Sequence, residues 1–131
     1  MEVFERVMCV EDDADIRTIL DFSLGGIGGF GLSLCASGPE ALERVEAFRP
    51  QLVLLDVMMP EMSGPETLIK LRALPVMQGV PIVFLTAKAM QDEVEALLEC
   101  GATGIIVKPF DAVTLPQNIR IYWEHGRGKS A

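Results

Sequence analysis

Four short apolar runs of this sequence each end next to polar residues that could take part in chemistry. Three acidic residues follow one run, an aspartate follows the next, and a hydroxyl and an ammonium group follow the last two: Glu11, Asp12, Asp13, Asp56, Thr86 and Lys108. Clustered carboxylates repel one another, so one of them must be protonated or a cation must bind. A small set of oxygen ligands with open water positions suits Mg²⁺ that also binds a phosphate.

Asp56 stands 44 residues after Asp12 and could act as a nucleophile toward phosphorus, as in aspartyl-phosphate intermediates. The product would carry a charge of about −2 and would need partners. A divalent cation, the Lys108 ammonium and the Thr86 hydroxyl could supply them. Each residue alone could be a helix cap or a surface charge. Their occurrence after separate runs, in this order, favours a phosphoryl-transfer site.

The apolar runs are near-continuous, which is typical of strands covered on both faces in a parallel sheet. Four clear runs and a weaker one occur at Val7–Val10, Leu52–Leu55, Ile82–Leu85, Ile105–Val107 and Phe30–Cys35. Segments with helical periodicity separate them. The pattern predicts an α/β doubly wound fold with five parallel strands and five helices. In such a sheet, ligands bind at the carboxyl ends of the strands, where the polar residues above would meet.

Local signals support these boundaries. Ser37 and Ser63 each begin a capping-box pattern, with proline early in the following helix. Pro116 falls inside the last helical pattern and is tolerated there if Thr114 caps that helix. We predict one domain over residues 1–125 and a flexible tail over residues 126–131.

Composition narrows the possible functions. The chain has 131 residues, with 19 acidic and 11 basic side chains and a net charge of −8. Nucleic acids and anionic membranes bind basic patches, so neither is an expected partner. The three cysteines form no metal pattern and are expected to be buried, reduced thiols. No signal peptide or membrane span is apparent, and we expect a cytoplasmic protein.

Four motifs resemble the signatures of response-regulator receiver domains of two-component signalling. They read VEDDADIR, LVLLDVMMPEMSG, VFLTAKA and GATGIIVKPF, and they stand in the order found in that family. The resemblance extends from Val7 to Trp123. It implies a flavodoxin-like sheet with the strand order 2-1-3-4-5.

The resemblance also assigns roles to individual residues. It implies that Asp56 is the phosphoacceptor, that Thr86 is the switch hydroxyl and that Lys108 binds the phosphate. Glu11 and Asp12 would be the acidic pair, because Arg17 stands six residues after Glu11. The implied Mg²⁺ ligands are Glu11, Asp12, Asp56 and the backbone carbonyl of Met58. The Lys108–Pro109 bond is expected to be cis.

The function that the resemblance implies is a signalling switch rather than an enzyme, with only self-phosphorylation and self-dephosphorylation. A sensor histidine kinase or a histidine phosphotransfer protein would donate the phosphoryl group. Output would come from binding another protein, with a homodimer through the face formed by helix 4, strand 5 and helix 5 as one possibility.

The sequence departs from the family at one switch position. The family usually has an aromatic residue three positions before the lysine, and this chain has Ile105. Bulky Met58 and cationic Lys88, each two residues past a key residue, are expected at the mouth of the site. We hypothesise that they hinder the attacking water and slow self-hydrolysis.

Two other functions are compatible with parts of the pattern. A small Mg²⁺-dependent phosphatase or phosphotransferase with an aspartate nucleophile, like the haloacid dehalogenases, would need a second aspartate where Met58 stands. A flavodoxin-like FMN module would need phosphate-binding groups after the first strand. The carboxylates of Glu11, Asp12 and Asp13 would instead repel that phosphate.

Overall fold

Strands and helices alternate along the chain in the computed structural model, which describes residues 2–88 and 90–130, the last four without their side chains. The strands are β1 Arg6–Val10, β2 Gly31–Cys35, β3 Leu52–Asp56, β4 Ile82–Thr86 and β5 Gly104–Val107. The helices are α1 Ala14–Leu20, α2 Gly38–Phe48, α3 Gly64–Arg72, α4 Gln91–Glu99 and α5 Leu115–Ser130. A π-helical segment, Asp21–Ile27, continues α1, and a short 3₁₀ helix, Pro75–Met77, follows α3.

All five strands are parallel, and their order is β2-β1-β3-β4-β5. This confirms the predicted fold class and strand order. The central strands β3 and β4 are buried along their whole length, as continuous apolar runs require. Two hydrophobic clusters cover the two faces of the sheet, one around Leu54 and Trp123 and the other around Leu55 and Phe84.

The helix ends follow the predicted chemistry. Ser63 and Glu66 form a reciprocal capping box at the start of α3. The Ser37 side chain accepts a hydrogen bond from the Glu40 backbone N–H at the start of α2. α5 begins at Leu115, so Pro116 lies in its first turn, where its missing N–H costs nothing. The Lys108–Pro109 peptide is cis, as expected.

The last helix is longer than the sequence indicates. Residues 126–130 continue α5, whereas the sequence predicts a flexible tail from residue 126. α5 is anchored by Trp123, whose ring stacks on Phe4 with centroids 4.7 Å apart, and Gly126 is still buried. The helix therefore extends past its glycine. The final residue of the predicted tail, 131, lies outside the described residues.

No helix within residues 2–88 and 90–130 is both long and apolar enough to cross a membrane.

Gly64 brings the start of α3 against the end of β3. Its N–H donates to the Val57 carbonyl at 2.9 Å. A Cβ at this position would lie 2.9 Å from the Val57 Cα and closer still to the Asp56 carbonyl oxygen, which is backbone that cannot easily move away. Only glycine therefore lets α3 approach the residue that ends β3.

We expect Gly64→Ala to lower the free energy of unfolding by about 1–3 kcal/mol, because it overpacks a backbone contact. Urea denaturation measures the loss. Gly26→Ala is the matched control, since a Cβ there meets only the Phe22 ring at 3.8 Å. That variant should stay within about 1 kcal/mol of the wild type, on the stabilising side. Equal effects of the two substitutions would contradict the close-approach argument.

Candidate functional site

A polar pocket of about 200 Å³ opens at the carboxyl ends of the strands. It brings together the carboxylate, hydroxyl and ammonium groups that the sequence analysis placed at this edge. Its lining residues are Glu11, Asp12, Asp13, Ile16, Asp56, Met58, Thr86, Ala87 and Lys108. The strand order explains the convergence, because β1, β3 and β4 are neighbours and β5 lies next to β4.

The Lys108 ammonium lies between two buried carboxylates. Its Nζ is 2.9 Å from Asp56 Oδ1, with a hydrogen bond, and 2.7 Å from Glu11 Oε1. The second contact is a salt bridge between the ammonium and the Glu11 carboxylate. Glu11 is 1% exposed and Asp56 is 4% exposed. One cation thus faces two buried acidic groups.

The loop after β1 holds the acidic pair in place. Glu11 Oε2 accepts from the Asp13 N–H at 3.1 Å, and the Glu11 carbonyl accepts from Arg17 at 2.7 Å. Asp13 caps α1 by accepting from the Asp15 N–H. The Asp13 carboxylate therefore caps the N-terminus of α1, whereas Asp12 is exposed and caps no helix within the described residues. Glu11 and Asp12, predicted as the pair from the spacing to Arg17, both lie close to Asp56.

Burial changes the acid–base properties of the site. Desolvation raises the pKa of Asp56 from 3.8 to about 7, helped by the nearby Glu11 charge and opposed by Lys108. The pKa of Lys108 is raised because its bonds to Glu11 and Asp56 outweigh its own desolvation. Lys108 therefore stays charged, and the Asp56 carboxylate is costly to ionise without a further cation.

Thr86 is placed at the pocket but its hydroxyl is not directed to Asp56. The Thr86 hydroxyl donates to the Lys88 carbonyl at 2.9 Å and accepts from the Lys88 N–H at 3.1 Å. The sequence pattern identified this hydroxyl but not its present partner, because a bond to the loop backbone depends on the conformation of residues 87 and 88.

Met58 lines the pocket, as expected, and is 80% exposed. Lys88 is exposed but is not among the lining residues, so its place at the mouth stays a prediction. Ile16 of α1 lines the pocket too. Helical periodicity in the sequence does not show which residue of the helix borders the site.

The donor set fits a hard divalent cation. One carboxylate oxygen from each of Glu11, Asp12 and Asp56 lies within 4.8 Å of the others. Three carboxylates against one ammonium leave negative charge at the site. Oxygen-only ligands of this number leave positions for water or phosphate oxygens, which is the coordination that Mg²⁺ prefers.

Comparison with known families gives a match over most of the chain. The model of the response regulator receiver domain matches residues 7–120. DNA-binding response regulator MtrA of Mycolicibacterium paratuberculosis is 41% identical over 116 residues, which make up 88% of this chain and 50% of that protein. An uncharacterized 14.6 kDa protein of Leptolyngbya boryana is 34% identical and is covered to 88%. The chain thus spans about half the length of the MtrA relatives.

Solved structures give the same result. Chemotaxis protein CheY4 of Vibrio cholerae superposes with a TM-score of 0.86 at 29% identity, covering 92% of this chain and 99% of that one. The receiver domain of sensor histidine kinase PA1611 from Pseudomonas aeruginosa PAO1 superposes with a TM-score of 0.79 at 27% identity, covering 95% and 98% of the two chains. That structure is described with a magnesium ion coordinated in its active site cleft.

Proposed function

Because this chain belongs to the response-regulator receiver family and is a phosphorylation-activated switch of two-component signalling, we propose that Asp56 is its phosphoacceptor. The observation that carries this proposal is the position of Asp56 in the pocket. It ends a fully buried central strand, and it is the carboxylate that bonds to Lys108 and stands beside the acidic pair.

In the proposed reaction, an Asp56 carboxylate oxygen attacks phosphorus while the bond between phosphorus and the donor breaks. The attacking oxygen must be unprotonated, which the raised pKa of Asp56 opposes. Lys108 favours the ionised form, and Glu11, Asp12, Asp56 and the Met58 backbone carbonyl would hold Mg²⁺. The bound ion would neutralise charge on the carboxylates and on the phosphoryl oxygens.

Transfer changes what the neighbouring groups can bind. The phosphoryl group brings strong acceptor oxygens to Asp56. Lys108 can exchange its bond to Asp56 Oδ1 for one to a phosphoryl oxygen. The Thr86 hydroxyl has to leave the Lys88 carbonyl to donate to the same group. These exchanges are the proposed start of the switch.

We propose that a sensor histidine kinase or a histidine phosphotransfer protein supplies the phosphoryl group. Output would come from protein contacts, either with an unidentified downstream protein or with a second copy through the face of α4, β5 and α5. MtrA is named as DNA-binding, but the charge of −8 argues against direct contact of this chain with nucleic acid. We also propose a cytoplasmic location, which the three free thiols support.

Intact mass after incubation with acetyl phosphate or phosphoramidate tests the proposal. We expect the protein to gain one phosphoryl group when Mg²⁺ is present and none when a chelator removes it. Steady release of phosphate from small phosphoesters, without a stable adduct, would instead indicate a phosphatase. A flavin-containing preparation would indicate an FMN module.

The lifetime of the adduct should depend on Met58. We expect Met58→Asn to speed loss of the phosphoryl group several-fold, because a smaller polar side chain admits and orients water at the mouth of the pocket. The decay of the phosphorylated mass after removal of the donor measures the rate. Ile69→Asn changes a similarly exposed apolar residue on α3 and is the control. Unchanged decay in Met58→Asn would refute the shielding role.

A further inference from the structure

The outer edge of β5 faces a groove beside α5. β5 is the last strand of the sheet. The Lys108 N–H donates to the Thr86 carbonyl on β4, so the alternation along the strand turns the backbone groups of Ile105 and Val107 to the outer edge. The groove has a volume of about 480 Å³, and Ile105, Val107, Ile121 and Tyr122 are among the residues that line it.

Tyr122 of α5 closes part of this edge. Its hydroxyl donates to the Ile105 carbonyl at 3.1 Å. Its ring lies over Gly104, where a Cβ would come within 2.5 Å of the ring carbon Cζ. The aromatic ring on this strand thus comes from the helix, and it can lie there only because residue 104 has no side chain.

The same strand is tied to the phosphorylation site at its other end. Thr86 pairs with Val107, and Lys108 follows β5 directly. If Thr86 and Lys108 turn toward a phosphoryl group on Asp56, they pull the β4 and β5 ends toward β3, while Tyr122 holds Ile105 from the outer side. Charge-assisted bonds to the phosphoryl group are roughly twice as strong as a neutral hydroxyl–carbonyl bond. The Tyr122 bond is therefore the contact that yields.

We propose that Tyr122 is a latch that holds α5 to the β5 edge in the unphosphorylated protein and opens when Asp56 is phosphorylated. This inference rests on the proposed function, because phosphorylation supplies the force. The groove provides the space into which the ring moves. Opening frees the Ile105 carbonyl and changes the surface of the α4, β5 and α5 face.

The single tyrosine makes the latch directly measurable. 3-Fluorotyrosine placed at residue 122 gives one ¹⁹F resonance, and its H₂O/D₂O isotope shift reports exposure of the ring to water. With phosphoramidate and Mg²⁺, we expect a new, more exposed signal. Its fraction should equal the phosphorylated fraction measured by intact mass. Gly104→Ala should give a similarly exposed signal without any donor, because its methyl group displaces the ring.

The two proposals fail in different ways. If no adduct forms, the proposed function fails and the latch fails with it. If the adduct forms but the exposure of the fluorine is unchanged, the latch alone is wrong. Tyr122→Phe gives a second, label-free measurement. Loss of the hydroxyl should raise the phosphorylated fraction at a fixed donor concentration several-fold, by reciprocity of coupling, and an unchanged fraction would count against the latch.

Discussion

Asp56→Asn is expected to abolish phosphoryl uptake and, in the same protein, to raise the stability of the metal-free fold above neutral pH. Uptake stops because an amide is a poor nucleophile and because one carboxylate of the cation site is lost. Stability rises because the substitution removes a charge that burial and Glu11 disfavour. A residue that serves only the fold would not give this pair of opposite effects.

The pH dependence of the stability follows from the sign of the shift. The Asp56 carboxyl binds its proton more tightly in the folded state, with a pKa of about 7 against 3.8. Well below pH 3.8 both states are protonated and Asp56 costs nothing. As the pH rises from about 4 to about 7, the unfolded state ionises first and stability is lost; above pH 7 the full cost remains. The shift limits that cost to about 4 kcal/mol.

Both proteins are unfolded with urea, in the presence of chelator, from pH 4.5 to pH 8.5. The difference between their free energies of unfolding cancels the contributions of the other carboxylates. We expect the advantage of Asp56→Asn to grow with pH and to level off above about pH 7. Glu43→Gln, an exposed carboxylate-to-amide change on α2, should show no such growth. If the difference in the free energy of unfolding does not change with pH, the folded state does not disfavour the ionised form of Asp56.

The strands and the site rim were predictable because they depend on local sequence. Runs such as Leu52–Leu55 and Ile82–Leu85 are long enough to be strands and too apolar to face water, and β3 and β4 coincide with them. Once the strands are parallel, the residues after each carboxyl end must meet at one edge. The sequence therefore predicted that Asp56, Thr86 and Lys108 lie close together, although it did not show their contacts.

The rest depends on contacts between distant parts of the chain. The sequence could not show that Tyr122 reaches Gly104, because the two are on different elements and their spacing carries no signal. Nor could it show that Gly64 packs against the Asp56 carbonyl. Nor could it show that Trp123 of α5 stacks on Phe4, 119 residues earlier in the chain, or that α5 continues past residue 125. Such features require packing, which periodicity alone does not encode.

Lys108→Met is expected to lower the free energy of unfolding of the metal-free protein by about 3–5 kcal/mol at pH 8, a large part of a typical domain's stability. Methionine keeps most of the side-chain volume but removes the ammonium between Glu11 and Asp56, whose side chains are 1% and 6% exposed. Two buried carboxylates then face each other without that cation. The loss should shrink toward pH 5, where protonation of Asp56 relieves the repulsion.

A double-mutant cycle separates this charge effect from packing. If Lys108 acts by offsetting charge, Asp56→Asn should recover much of the stability lost in Lys108→Met, and the two changes will not be additive. Lys70→Met, which removes an exposed ammonium on α3, should change stability by about 0.5 kcal/mol or less. Equal losses in Lys108→Met and Lys70→Met would show that the ammonium does not stabilise the pocket. Additive losses in the cycle would show that Lys108 acts through packing, independently of the Asp56 charge.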